Sequence, residues 1–311
     1  MRRAIGGVVV LGLCVAVAAV TTSPPEASGR PFLEIGRAHA ERIPALSGDK
    51  PIFVLILGSD SRPGTALEDG LSDSIQILGI NPKRRSATLI GIPRDSYVPL
   101  ASGGTNKINS AMPAGGVDAM ITTVERLSGI RFDYYALSGF DEMIGAVNEI
   151  GGLNIDVPYS FTGYRSSFQA GQAKLDGKAA LELARTRKGL LGGDFDRSMN
   201  QGRILLAALG QFRKQFGRDP STLFTWLGAG MRGVHTDLSI DELITLSFTA
   251  TNISPKRVTN LVLMGTNGLV GTMSVVNLSS TANQPLFRDI AADGFIRQAD
   301  IPAQAQPANG T

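Results

Sequence analysis

The run Ile52-Phe-Val-Leu-Ile-Leu57 is apolar throughout and stops at Gly58. A run this short and uniform predicts a strand buried on both faces. Residues 74–80 and 87–92 read as two more strands, and Asn81-Pro-Lys-Arg-Arg85 between them has the composition of a hairpin turn. Residues 117–127 and 140–150 carry amphipathic helical patterns, and 151–157 reads as a turn and strand. Asp176 is placed to cap a helix over 176–184. A further helix opens at Asp194, with Ile204, Leu205, Ala208 and Leu209 on its apolar side. Residues 159–172 are polar and aromatic, either a flap or a long surface hairpin. Beyond Asp219 the pattern predicts helices over 220–229 and 239–248, the second with Ser239 and Glu242 as a capping box. A strand over 257–264, a Gly/Ser/Asn-rich loop over 265–284 and a closing helix over 285–292 complete the chain. The expected fold is α/β: a three-layer α/β/α domain around a central, largely antiparallel or mixed sheet.

The N-terminus changes this picture. Met1-Arg2-Arg3 precedes an apolar run over 4–20, the order of a secretory or anchoring signal. At ~1.5 Å per residue the run spans roughly 25 Å, short of the ~30 Å hydrocarbon core, and Thr21 and Thr22 extend it slightly. Cleavage near Ala16-Val17-Ala18 and retention as an anchor, with Arg2 and Arg3 in the cytoplasm, are the two alternatives. The expected division is a membrane anchor or signal over 1–22, a linker or stalk over 23–50, one extracytoplasmic catalytic domain over 51–297 and a disordered tail over 298–311. Within the stalk, 32–43 has a weak helical pattern. The expected location is the cell membrane, single-pass.

Composition narrows the chemistry. Of 311 residues, 43% are apolar and 18% charged, enough for a core and too few charges for a disordered chain. One cysteine and two histidines (His39 and His235) exclude a disulfide framework and a His/Cys metal centre, and leave little for Cys-His or Ser-His-Asp catalysis. Thirty basic against 27 acidic residues, 6% aromatics and no GxxxxGK[ST] loop make nucleic acid a poor partner and exclude a Walker site.

If the first three strands form an antiparallel meander, Asp60, Asp73 and Arg94 fall at one sheet edge. Alone, each aspartate is a turn cap. Together, with no histidine near, two carboxylates suit a hard cation such as Mg²⁺, with Mn²⁺ as its substitute, completed by phosphate oxygens. Lys107 lies in a Gly-rich loop. Arg185 and Arg187 share a face if extended, and Arg197 and Gln201 share the first turns of the last long helix. Arginines offer bidentate donors to phosphate, so the set describes a pyrophosphate pocket.

Six motifs stand in order: Gly58-Ser-Asp60-Ser-Arg62, Ser72-Asp73-Ser74, Ile92-Pro-Arg94-Asp95, Asn106-Lys107-Ile-Asn109, Ala184-Arg185-Thr-Arg187 and Asp194-Phe-Asp-Arg197 through Gln201. Together they resemble the LytR-CpsA-Psr family, clearly from Pro51 to about Gln211 and more weakly to Phe295. The resemblance implies transfer of a glycopolymer from a polyprenyl-pyrophosphate carrier to peptidoglycan. It implies that Asp60 and Asp73 hold Mg²⁺, that Arg94, Lys107, Arg185, Arg187, Arg197 and Gln201 bind the pyrophosphate, and that Arg62 and Asp95 support them. It also implies a lipid tail held between sheet and helices. Asn200 departs from the arginine that family members often carry. No residue is an obvious general base. Asp95 is the candidate, its alternative role being to pair with Arg94. A pyrophosphohydrolase and a non-catalytic lipid-glycan binding protein are the competing functions.

Overall fold

The computed structural model describes residues 33–39, 50–62, 64–219, 234–236, 252–297 and 301. In chain order the strands are β1 (Leu33–Arg37), β2 (Ile52–Ser59), β3 (Ser72–Asn81), β4 (Ser86–Gly91), β5 (Tyr97–Pro99), β6 (Thr105–Lys107), β7 (Tyr134–Gly139), β8 (Leu153–Val157), β9 (Phe161–Thr162), β10 (Ser167–Phe168), β11 (Gly171–Leu175), β12 (Val234–Thr236), β13 (Val258–Val262), β14 (Gly265–Val270) and β15 (Met273–Leu278). The helices are α1 (Ala111–Ser128), α2 (Phe140–Glu149), α3 (Gly177–Arg185), α4 (Asp194–Phe216) and α5 (Ser280–Asp293).

Among the described residues the main sheet has seven strands in the order β12-β1-β7-β2-β3-β4-β13. β2, β3 and β4 form the expected antiparallel meander, while β2–β7, β4–β13 and β1–β12 are parallel, so the sheet is mixed. Alternation along the meander sends two apolar sets to opposite faces. Phe53, Leu55, Leu57, Ile75, Ile77, Ile90 and Ile92 join a core with α1 and α5. Ile56, Leu78, Ile80 and Leu89 instead look toward α4 and line a narrow apolar cleft with Leu205 and Leu209. A second core, built by β8, β11, α3 and α4 around Ile155, Leu183, Ile204 and Phe212, lies beyond that cleft. The fold is thus mixed α/β with helices over the sheet.

Two expected elements differ. Residues 33–37, read as part of a helical stalk, form β1, antiparallel to β7. The reason lies across the ladder. A Cβ at Gly36 would sit 2.3 Å from the Tyr135 ring, so the aromatic covers a glycine that a helix pattern leaves unexplained. Residues 265–284, read as a loop, form the hairpin β14–β15 and the start of α5. Its glycines allow backbone approach: a Cβ at Gly265 would lie 2.6 Å from the Asn277 carbonyl oxygen. Buried Val275 and Val276 anchor it. The expected anchor over 1–22, the tail over 298–311 and the helices over 220–229 and 239–248 lie outside the described residues, apart from residue 301. Among the described residues no helix is long and apolar enough to cross a membrane.

The placement of α3 matters for the site. Asp176 caps it by accepting the Ala179 N–H at 2.8 Å, as the sequence predicts. Gly177, its first residue, is buried against α2: its N–H donates to Asn148 Oδ1 at 2.8 Å, and a Cβ there would meet the Ile144 carbonyl oxygen at 2.2 Å. Gly177→Ala must therefore push two helix backbones apart. A loss of about 1–3 kcal/mol is expected, read as a lowered denaturant midpoint at unchanged slope. Wild-type stability in this variant would mean that α2 and α3 are not tightly docked.

Candidate functional site

Arg94 follows β4 at the sheet edge, and its Nη1 donates a short hydrogen bond to Asp73 Oδ1 on β3. The antiparallel register brings them together: Gln76 faces Gly91, and the Ile92 N–H donates to the Ile75 carbonyl at 2.9 Å. Burial acts to lower the Arg94 pKa, but Asp73 outweighs it, and the guanidinium is held above its ordinary value. Asp73 is only 7% exposed, so each group of the pair depends on the other.

Asp95 gathers the remaining cations. Its Oδ1 lies 3.1 Å from Lys107 Nζ and 4.0 Å from Arg94 Nε, and its Oδ2 lies 3.5 Å from Arg187 Nη1. A carboxylate shared by three cations is an anchor for them, which favours the pairing role over that of a general base. The β14–β15 hairpin secures it from behind, the Val276 N–H donating to the Asp95 carbonyl at 2.8 Å. Arg185 and Arg187 are both exposed, with Thr186 fully buried between them, which places the two guanidinium groups on one face. Arg185 also sits over the Phe140 ring, 5.8 Å from its centroid.

Arg197 is only 2% exposed and pairs with Asp194 at 2.5 Å (Nη2 to Oδ1), one turn away at the start of α4. Burial depresses the Arg197 pKa and raises that of Asp194, each partly offset by the other. The ion pair lacks hydrogen-bond alignment: both Asp194 oxygens, Arg197 Nε and Arg94 Nε are buried with no hydrogen-bond partner among the described residues. Buried donors normally find one. The two Nε groups are enclosed by protein, while both arginines line the adjoining cavity, where an anion would meet their charge.

That cavity has a volume of about 790 Å³, and Asp73, Arg94, Arg185, Arg187 and Arg197 all line it. Asp60 pairs with Leu71: its N–H donates to the Leu71 carbonyl at 3.0 Å, and its Oδ1 accepts the Leu71 N–H at 2.7 Å. Asp60 is therefore a turn cap, and unlike Asp73 it does not line the cavity. No group of three or more His, Cys, Asp or Glu side chains able to hold a metal occurs among the described residues. Carboxylate oxygens are the donors a hard divalent cation takes, completed by phosphate oxygens.

Two expected residues, Gln201 and Arg62, stand differently, and Asn200, which is not expected at the site, is structural. Gln201 is buried, and its Nε2 donates to the carbonyls of Asp73 (3.0 Å) and Ala184 (3.1 Å). Its amide hydrogens tie β3 to α3 instead of pointing at an anion. Arg62 is exposed on the loop after β2 and does not line the cavity. Asn200 is buried and accepts from Arg203 Nη1 at 2.7 Å, a structural contact. The residues that sequence reasoning passed over are acidic. Asp194 pairs with Arg197. Asp196 accepts from the Gly192 N–H at 2.8 Å and from the Tyr159 hydroxyl at 2.5 Å. Burial and Asp196 together push Tyr159 up to about 12. Both aspartates belong to the quoted motif, so their presence was visible while their partners were not.

Below the cavity, Gly58, Ser74, Phe140 and Ala184 line the mouth of an apolar cleft between the sheet and α4, of about 80 Å³ there, and Ile56 and Leu205 continue it beneath.

A family model described as the LytR_cpsA_psr family matches residues 28–290. The polyisoprenyl-teichoic acid–peptidoglycan teichoic acid transferase TagU of Bacillus mycoides is 32% identical over 208 residues, covering 65% of this chain and 65% of TagU. TagV of Bacillus subtilis, a transferase of the same description, is 31% identical over 232 residues, 71% of this chain and 59% of TagV. The chain thus spans less than two thirds of the length of these curated relatives. The crystal structure of B. subtilis TagV superposes with a TM-score of 0.66 at 28% identity, over 79% of this chain and 98% of that one. The structure of YwtF (TagT) with bound octaprenyl pyrophosphate lipid superposes at 0.61 with 23% identity, over 81% of this chain and 93% of that one, a likeness of fold.

Proposed function

The chain belongs to the LytR_cpsA_psr family, and from that premise we propose that it is a phosphotransferase moving a glycopolymer from a polyprenyl-pyrophosphate carrier to peptidoglycan. The observation that carries this reading is one cavity walled by five arginines and Asp73, opening beside an apolar cleft. A pyrophosphate needs the first and a prenyl chain needs the second. TagU and TagV are described as teichoic acid transferases, so a lipid-linked teichoic acid is among the donors to be tried.

The chemistry follows from the groups present. An acceptor hydroxyl attacks the phosphorus that bears the sugar. A new P–O bond forms to the acceptor, and the P–O bond to the polyprenyl phosphate breaks. Such transfer depends on positioning and on neutralising oxygen charge more than on covalent help. Arg94 and Arg197 line the inner wall of the cavity and set their charge against the bound oxygens. Arg185 and Arg187 add charge on the exposed side of the cavity. Asp95 keeps Lys107, Arg94 and Arg187 in place. The prenyl chain would enter between the sheet and α4. Asp60 and Asp73 would hold Mg²⁺, which supplies further charge neutralisation on the pyrophosphate. A membrane anchor over 1–22 would keep this domain on the extracytoplasmic face, within reach of a lipid carrier.

The test is to give the full chain a labelled lipid-pyrophosphate glycan, peptidoglycan and Mg²⁺. The full chain is required because β1 precedes residue 51. Label on peptidoglycan is the expected result. Released glycan phosphate alone would make the protein a hydrolase, and tight binding without either product a binding module. Metal removal is a separate prediction: a chelator should lower transfer by about tenfold or more, and Asp73→Asn should weaken the Mg²⁺ dependence. Full transfer in excess chelator would remove the cation from the site.

A further inference from the structure

Hairpin β9–β10 ends in Tyr164, Arg165 and Ser166, and all three line the arginine-walled cavity. The tip does not hang free. Glu182, one turn before Arg185 on α3, takes the backbone N–H of Arg165 (2.6 Å) and of Ser166 (2.9 Å) on its Oε1. Its Oε2 takes the Ser166 hydroxyl at 2.7 Å. Burial acts to raise the Glu182 pKa, but these donors outweigh it and hold the carboxyl below its ordinary value. At the hairpin base, Phe161 and Phe168 stack with centroids 4.9 Å apart. The loop between α3 and α4 presses against it: Gly189 has φ +86°, and a Cβ there would lie 2.5 Å from the Thr162 carbonyl oxygen.

The pinned tip holds its side chains at the cavity. What it presents is a tyrosine ring, 61% exposed, next to an exposed guanidinium. The flat face of a sugar stacks on such a ring, and its hydroxyls or phosphate take up the guanidinium. These groups line a cavity instead of crowning an open surface, which favours a saccharide over a bilayer. Resting on the function proposed above, we propose that Tyr164 and Arg165 bind the first sugars of the donor, adjoining the pyrophosphate, and that Glu182 is the positioning residue that fixes them there.

The test compares two probes on the full chain: a polyprenyl pyrophosphate carrying a disaccharide, and the same lipid without sugar. Tyr164→Ala, at an exposed position that leaves the fold intact, should weaken the disaccharide lipid about tenfold and leave the bare lipid within about twofold. Glu182→Ala should do the same. Glu182→Gln should restore most of the affinity, because one amide oxygen still accepts both N–H groups. Four results would overturn this assignment: both lipids weakening equally in Glu182→Ala, which is mere structural damage; both binding every variant as they bind wild type; Tyr164→Ala raising only the acceptor KM in the transfer assay; and Tyr164→Ala reducing only association with anionic phospholipid vesicles. If the wild-type chain binds neither lipid, the proposed function falls first, and the sugar site with it.

Discussion

Arg94→Ala should lower transfer by about 10²–10³-fold while the domain still folds. Arg94 does two things at once. It pairs with the nearly buried Asp73, and it lines the cavity. Removing it takes one cation from the developing phosphate charge and leaves Asp73 without its counter-ion. The second effect carries a stability cost of about 1–3 kcal/mol. The two effects separate by design. Arg94→Ala combined with Asp73→Asn removes the stranded charge, so thermal stability should recover while transfer does not. Arg94→Lys keeps a charge but loses the planar fork, and should fall between. The measurement is single-turnover transfer beside a melting curve for each protein. If Arg94→Ala transfers at the wild-type rate, Arg94 has no part in the chemistry. If activity returns with stability in the double variant, its part is structural.

Much of this site could be read from the chain because short buried strands leave little freedom. Apolar runs at 52–57 and 87–92 flank a β-like segment at 74–80, and a turn with Asn and Pro joins that segment to the last run, so the three admit essentially one pairing. Once the meander is granted, Asp73 and Arg94 must meet. The same reasoning placed Arg185 and Arg187 on one face and Asp176 at a helix cap. What escaped were contacts between elements far apart in sequence. β1 carries the misleading helical spacing of 32–43, and only the Tyr135 ring across the ladder explains Gly36. The β14–β15 hairpin is poor in strand-forming residues at its start and gains its place from buried Val275 and Val276 and from the Asp95 carbonyl. Gln201 sat on the expected helical face, yet two backbone carbonyls reach its amide before any ligand does. Glu182 showed no motif at all, since its partners are backbone N–H groups, which sequence does not distinguish.

The acids beside the arginines have a consequence for stability as large as any for catalysis. Arg197→Met should destabilise the fold by about 3–5 kcal/mol, because it leaves the Asp194 carboxylate buried with no ion-pair partner and no hydrogen bond. For a domain of this size that is a fall in Tm on the order of 10 °C. The deficit should depend on pH with a definite sign. Burial already raises the folded-state pKa of Asp194, and loss of Arg197 raises it further. Between the ordinary carboxylate value and this raised one, the folded state binds more protons than the unfolded state, so stability relative to wild type falls as pH rises. The variant should therefore be worst near neutrality and recover on acidification toward the ordinary carboxylate range. Replacing both partners, Asp194→Leu with Arg197→Met, removes the stranded charge and should return stability to about the wild-type level while transfer stays abolished. An unchanged Tm in the single variant, a deficit that ignores pH, or a double variant no more stable than the single would each mean that water reaches this pair. In that case Arg197 would be an ordinary surface cation and not a buried donor held for the pyrophosphate.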